Sequence, residues 1–223
     1  MAISDWPVER RPRERLLAEG AERLLDAELL AVLLRTGVRG TDAVELGAQL
    51  LKRFGSINRL LSAGPELLDI KGLGQAKTAQ FAAAIELARR AMSEELKERS
   101  ALTSPGAVRD YLRVALAHRQ HEVFVCIWLD AQHKVVGVEE AFSGTLTQTS
   151  VYPREIVKKA LARNAAAVIF AHNHPSGVAQ PSQSDELLTR NLRDALALVE
   201  VKVLDHFIVA GNQAISFAER GLL

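Results

Sequence analysis

Apolar positions in residues 1–100 recur at helical spacing, with helix-end residues between the runs. "DAELLAVLLRTG" (26–37) predicts a helix with Asp26 as N-cap and Gly37 as its stop. "TDAVELGAQLLKRFG" (41–55) repeats the plan, capped by Thr41 or Asp42 and closed by Gly55. "GPELLDIKGLGQAKTAQFAAAIELARRAMSEELKER" (64–99) predicts a short helix, a Gly-x-Gly turn and a long helix with a charged end. The polar "SEELKERSALTSPGA" then marks a linker near 100–104.

Beyond the linker the pattern changes. "SPGAVRDYLRVALAHRQ" predicts one more helix, with Ser104 as cap and Pro105 in the first turn. "EVFVCIWLD" (122–130) and "HKVVGVEEAFSG" (133–144) are strand-like runs joined by a short turn. "YPREIVKKALARNA" (152–165) is an amphipathic helix, and "AAVIFAHNHP" (166–175) is an apolar run that predicts a buried strand. "SQSDELLTRNLRDALALVE" (182–200) predicts a helix, and "VKVLDHFIVAG" (201–211) and "QAISFAERGLL" (213–223) are strand-like. Strands interleaved with helices predict an α+β domain of α/β character around a central sheet, at 101–223, preceded by an all-α domain at 1–100.

Composition narrows the function classes. The chain has 223 residues, of which 48% are hydrophobic, so it can bury a core. Its 28 basic and 27 acidic residues give a net charge of +1, against the clear basic excess of a strongly electrostatic nucleic-acid binder. The single cysteine, Cys126, lies inside "VFVCIWL" and predicts a buried inert thiol; it rules out an internal disulfide and a cysteine-based zinc site. No stretch approaches the ~18 apolar residues of a membrane span. The N-terminus has no apolar signal-peptide core, so a cytoplasmic location is the expectation.

The candidate chemistry sits at the end of the apolar run. In an extended chain His172 and His174 point the same way, and "PSGVAQPSQS" can fold the chain back to bring Asp185 to them. Two imidazoles and a carboxylate suit zinc, leaving a fourth position for water. Ser182-x-x-Asp185 also has the form of a capping box, which would fix the helix start and aim Asp185. Zinc deaminases need a Pro-Cys-x-x-Cys pair that this chain lacks.

His172-Asn-His174-Pro175, Ser182 and Asp185 match H-x-H-x(7)-S-x(2)-D, and so resemble the JAMM (JAB1/MPN/Mov34) zinc metalloproteases. The wider context, "GTL", "YPREIVKKAL", "AHNHPSG" and "LDHFIV", is similar to the bacterial RadC family. The resemblance implies a JAMM/MPN-type domain with one zinc held by His172, His174 and Asp185, and Ser182 stabilising an oxyanion. It implies a glutamate base on an earlier strand, for which Glu122 is preferred over Glu139 and Glu140, and hydrolysis of a peptide or isopeptide bond in a protein or peptide substrate. Asn173 is expected to point away from the metal as a structural amide, and His206 to be a core histidine; neither it nor His118, His121 or His133 is assigned to zinc.

In the N-terminal part, "LLDIKGLGQAKTAQFAAAIEL" (67–87) resembles a helix-hairpin-helix, spanning about 60–90. That implies sequence-independent DNA contact through Lys71, Gly72, Gly74 and Lys77, phosphates meeting exposed amides at a helix start. The bland alternative is a hairpin whose glycines serve packing alone, and residues 1–100 carry 16 basic against 15 acidic residues. The competing function is therefore a non-catalytic DNA-associated factor that uses the JAMM fold as a scaffold.

Overall fold

The computed structural model describes residues 3–98, 105–144 and 151–223. The linker at 100–104, including Ser104, and Thr145 and Leu146 of "GTL" lie outside the described residues. The chain forms two compact units, 1–87 and 88–223, so that the last turns of the long helix group with the C-terminal unit.

In the N-terminal unit the helices are α1 (Pro12–Glu19), α2 (Asp26–Leu34), α3 (Ala43–Phe54), α4 (Ile57–Ser62) and the start of α5 (Gln75–Glu98). Asp42 caps α3 by accepting from the amides of Val44 and Glu45, and Gly55 ends it in the left-handed conformation. At α2 the N-cap is Leu25 rather than Asp26, because Glu28 reaches back to the Leu25 amide at 2.8 Å. That helix stops at Arg35, two residues before Gly37. Leu30, Leu34, Leu46, Leu50, Leu60, Leu67, Leu73 and Phe81 form the core of this unit.

The C-terminal unit has α6 (Pro105–Leu116), β1 (Val123–Leu129), β2 (Val135–Ser143), α7 (Pro153–Ala162), β3 (Ala167–Asn173), α8 (Gln183–Ala197), β4 (Lys202–Ala210) and β5 (Gln213–Ser216). The five strands make one sheet in the order β2-β1-β3-β4-β5. Only β3 and β4 pair in parallel, joined through α8.

The sheet is covered on both faces, which explains why β1 and β3 are continuous apolar runs rather than alternations. Val123, Val125, Ile127 and Leu129 of β1 pack with Val108, Leu112 and Leu116 of α6. Phe124, Cys126, Trp128, Val168 and Phe170 pack with Ile156 and Ala160 of α7 and Leu192 and Leu196 of α8. Strand parity therefore assigns even-numbered positions of β3 to the α7/α8 side, and that assignment carries to His172 at the strand's end. Cys126 is fully buried, and burial pushes its thiol pKa up, as an inert core thiol requires.

Among the described residues, no helix is long and apolar enough to cross a membrane.

Candidate metal centre

Three elements converge on the site: the end of β3 brings His172, the turn after it brings His174, and the first turn of α8 brings Asp185. Ser182 is the N-cap of α8; its Oγ accepts from the Asp185 amide at 3.1 Å. The Asp185 carboxylate accepts in return from the Ser182 amide at 2.8 Å and the Ser182 hydroxyl at 2.7 Å. This reciprocal cap turns Asp185 toward the histidines. His174 is fixed by its amide, which donates to the Val209 carbonyl at 2.8 Å, and by a turn in which Gly177, with φ of +80°, donates to the His174 carbonyl.

The potential ligand atoms lie close together. His172 Nε2 lies 3.0 Å from His174 Nε2 and 3.3 Å from Asp185 Oδ1, while His174 Nε2 lies 3.4 Å from the other carboxylate oxygen, Oδ2. One atom from each residue can be chosen so that all three lie within 4.8 Å of one another. A tetrahedral zinc with bonds of about 2.0–2.1 Å sets neighbouring ligands about 3.3–3.4 Å apart, so the donor set suits the ion once the carboxylate presents one oxygen to both histidines. The ring chemistry agrees. His174 Nδ1 faces the Val178 carbonyl at 2.9 Å, which can only accept, so the Nδ1 of a neutral ring carries the proton and Nε2 offers a lone pair. Two ring nitrogens 3.0 Å apart need a hydrogen or a metal ion between them, so that their lone pairs do not meet.

Electrostatics mark Asp185 and His174. Burial opposes ionisation of Asp185, but hydrogen bonds with His172, His174 and Ser182 outweigh it and hold the carboxyl far below its usual range. The bond to Asp185 raises the pKa of His174 against the opposing effect of burial, and the Val178 carbonyl and the charge of Glu122 add to the rise.

Glu122 directly precedes β1, whose Phe124 faces His172 across the β1–β3 ladder. The rival glutamates are engaged elsewhere. Glu139 bridges Lys159 at 2.5 Å and also pairs with Arg163, and Glu140 pairs with Arg119. Glu139 ionises below the usual range because these two cations outweigh its burial.

Two further residues support the site. Asn173 is buried and points away from the histidines; Oδ1 accepts from the Val123 amide at 2.8 Å, and Nδ2 donates to the carbonyls of Arg119 and His121. His206 is buried in the core and also bonds to His172, so the core position and the position near the site that "LDHFIV" allows are the same place. The available signal is a histidine inside the apolar run "LDHFIVA", since a buried polar ring needs a partner.

The hairpin residues separate into two pairs. Lys71 and Gly74 are exposed. Gly72 has φ of +97°, and a Cβ there would meet Val38 Cγ1 at 2.1 Å, so its role is close packing. Lys77 donates to the Thr36 carbonyl at 2.6 Å, and burial lowers its pKa.

A five-stranded α+β sheet with a His-His-Asp group at the end of its central strand defines a JAB-type domain, and the sequence comparisons agree. The RadC-like JAB domain matches residues 102–222, and the UPF0758 N-terminal family matches residues 3–79. The chain belongs to the UPF0758 family of proteins with a RadC-like JAB domain. It is 63% identical over 226 residues to a UPF0758 protein of Dechloromonas aromatica, with both chains fully covered. UPF0758 proteins of Nitrosomonas eutropha and a Polaromonas species are 59% and 58% identical, again with full coverage of both chains.

Proposed function

We propose that the C-terminal unit is a zinc-dependent hydrolase of peptide or isopeptide bonds. One observation carries the reading: two imidazole nitrogens and a carboxylate, contributed by a strand, a turn and a helix, offer ligand atoms that all lie within 4.8 Å of one another. Zinc held there would act as a Lewis acid and bring the pKa of a coordinated water to about 7.

The chain's own residues have the following roles. His172, His174 and Asp185 would hold the cation, three protein ligands leaving a fourth position for water. Glu122 accepts the proton of the attacking water and returns it to the leaving amine as the C–N bond breaks. Ser182 first orients Asp185. To act on the tetrahedral intermediate its hydroxyl proton must turn from Asp185 Oδ2 to the oxyanion, while Oγ still accepts from the Asp185 amide. Contact with DNA, as a means of delivery, would run through Lys71 and Gly74, the two exposed members of the hairpin set.

Elemental analysis of the purified protein should find about one zinc per chain, absent from a His172→Ala, His174→Ala double variant. New protein N-termini or released isopeptide products should appear in cells expressing wild type but not Glu122→Gln. Full metal occupancy in the double variant would refute the centre. Identical product profiles with and without Glu122 would refute the hydrolase.

A further inference from the structure

His172 reaches the site with one ring nitrogen, Nε2; the other, Nδ1, faces inward. Nδ1 lies 2.8 Å from His206 Nε2, and His206 Nδ1 lies 2.6 Å from the hydroxyl of Thr189. That hydroxyl lies 2.6 Å from the Asp185 carbonyl oxygen. Thr189 and His206 are 1% and 0% exposed, and three phenylalanines, Phe124, Phe170 and Phe217, surround the His206 ring at 4.8–5.9 Å between centroids.

The direction of each bond follows from counting protons. A carbonyl oxygen has none, so the Thr189–Asp185 contact requires Thr189 to donate its only proton. Thr189 can then only accept from His206, which places the His206 proton on Nδ1. The ring is fully buried among three phenylalanines, where a charged imidazolium would be costly, so with its one proton on Nδ1 its Nε2 is an acceptor. Nε2 accepts from His172 Nδ1–H, leaving a lone pair on His172 Nε2, aimed at the metal point.

We propose that Thr189 and His206 are positioning residues, a buried relay that locks His172 into the one neutral tautomer able to bind the cation. The proposal rests on the metal-centre reading above. A ligating histidine ordinarily donates its second N–H to a carboxylate, a carbonyl or water. Here the acceptor is another imidazole, which could donate equally well if its proton moved. Reversal would put the His206 proton on Nε2, force the His172 proton onto its own Nε2 and block coordination. The Thr189 hydroxyl, through its bond to Asp185, is what forbids the reversal. The helix that supplies the carboxylate ligand thus also sets the tautomer of a ligand on the neighbouring strand.

Thr189→Val keeps the shape but removes the hydroxyl, leaving His206 Nδ1–H against methyl groups and favouring the reversed relay. Thr189→Ser keeps the hydroxyl. Zinc affinity of the full chain, measured by competition with a chromophoric chelator, should fall about 10–100-fold in Thr189→Val and stay near wild type in Thr189→Ser. Ring-nitrogen NMR of metal-free, 15N-histidine-labelled protein should show Nδ1–H on His206 and His172 in wild type and Nε2–H on both in Thr189→Val. Circular dichroism and thermal unfolding establish that the variant is folded. If Thr189→Val misfolds, the wild-type tautomers decide. Unchanged affinity in a folded Thr189→Val, or Nε2–H on wild-type His206, overturns the relay. If wild type takes up no zinc, the metal reading fails, while the tautomers still decide the relay.

Discussion

Asn173 accepts a hydrogen bond from the Val123 amide at 2.8 Å, and this side-chain bond pins the start of β1 to the end of β3. The amide nitrogen of the same side chain holds the carbonyls of Arg119 and His121, so Glu122 is gripped from both sides. Asn173→Ala should lower unfolding stability by about 2–4 kcal/mol, three hydrogen bonds and their buried partners being lost. Denaturant titration measures it. Zinc stoichiometry should survive, because the histidines lie on the other side of the strand.

Ser182→Ala removes the N-cap bond from the Asp185 amide and the hydroxyl's bond to the Asp185 carboxylate, leaving the Ser182 backbone amide on that carboxylate. The expected loss is about 1 kcal/mol of stability, together with weaker metal affinity. A stability loss with unchanged affinity would show that Ser182 serves the helix alone.

The two classes of glutamate should respond oppositely. Glu139→Gln strands Lys159 and Arg163 and should destabilise the fold by about 1–2 kcal/mol, between the exposed and buried limits for ion pairs. Glu122→Gln should abolish turnover of any substrate found, with thermal unfolding showing that the variant is folded.

In metal-free protein the His174–Asp185 pair makes stability depend on pH. The folded pKa of His174 lies above 6.5, so its contribution is complete below that value and is lost as pH rises through the raised pKa. Asp185 lies below its ordinary 3.8, so its contribution is present above that value and is lost as pH falls through the lowered pKa. Thermal scans of metal-free protein should therefore show falling stability on the alkaline side, a slope that His174→Asn removes. Saturating zinc should reverse the sign near neutrality, since the ion requires His174 to give up its proton.

Gly72→Ala forces a Cβ onto Val38 at a positive φ and should destabilise the N-terminal unit by more than about 1 kcal/mol. At Gly74 an added Cβ meets nothing within 4 Å. Gly74→Ala and Lys71→Ala therefore test DNA contact without unfolding the hairpin. Gel shifts weakened in both variants, and by added salt, would support phosphate binding; shifts indifferent to all three would exclude it.

The convergence of His172, His174 and Asp185 was legible in the sequence because each sits at a boundary that local rules recognise. His172 and His174 close an apolar strand, and Asp185 stands three residues after a serine cap. The choice of Glu122 as base rests on its place in chain order before β1, since local pattern does not specify which strands pair. The link from His206 to His172 depends on the parallel pairing of β3 and β4, which places Phe170 beside His206 across 36 positions of chain. Its chemistry needs a third partner, Thr189, which one sequence reading cannot distinguish from any buried helical threonine. The start of α2 departs from expectation for a local reason: Glu28 caps backward onto Leu25, displacing Asp26.

The β3–α8–β4 unit contains every proposed ligand and both members of the tautomer relay, whereas the proposed base enters from β1, on the opposite flank of β3. Under the proposed function, gripping an ion and moving protons would fall to separate stretches of chain, clasped together by one asparagine. Lineages could thus shed or regain turnover by altering the approach to β1 alone, keeping an intact ion receptor throughout.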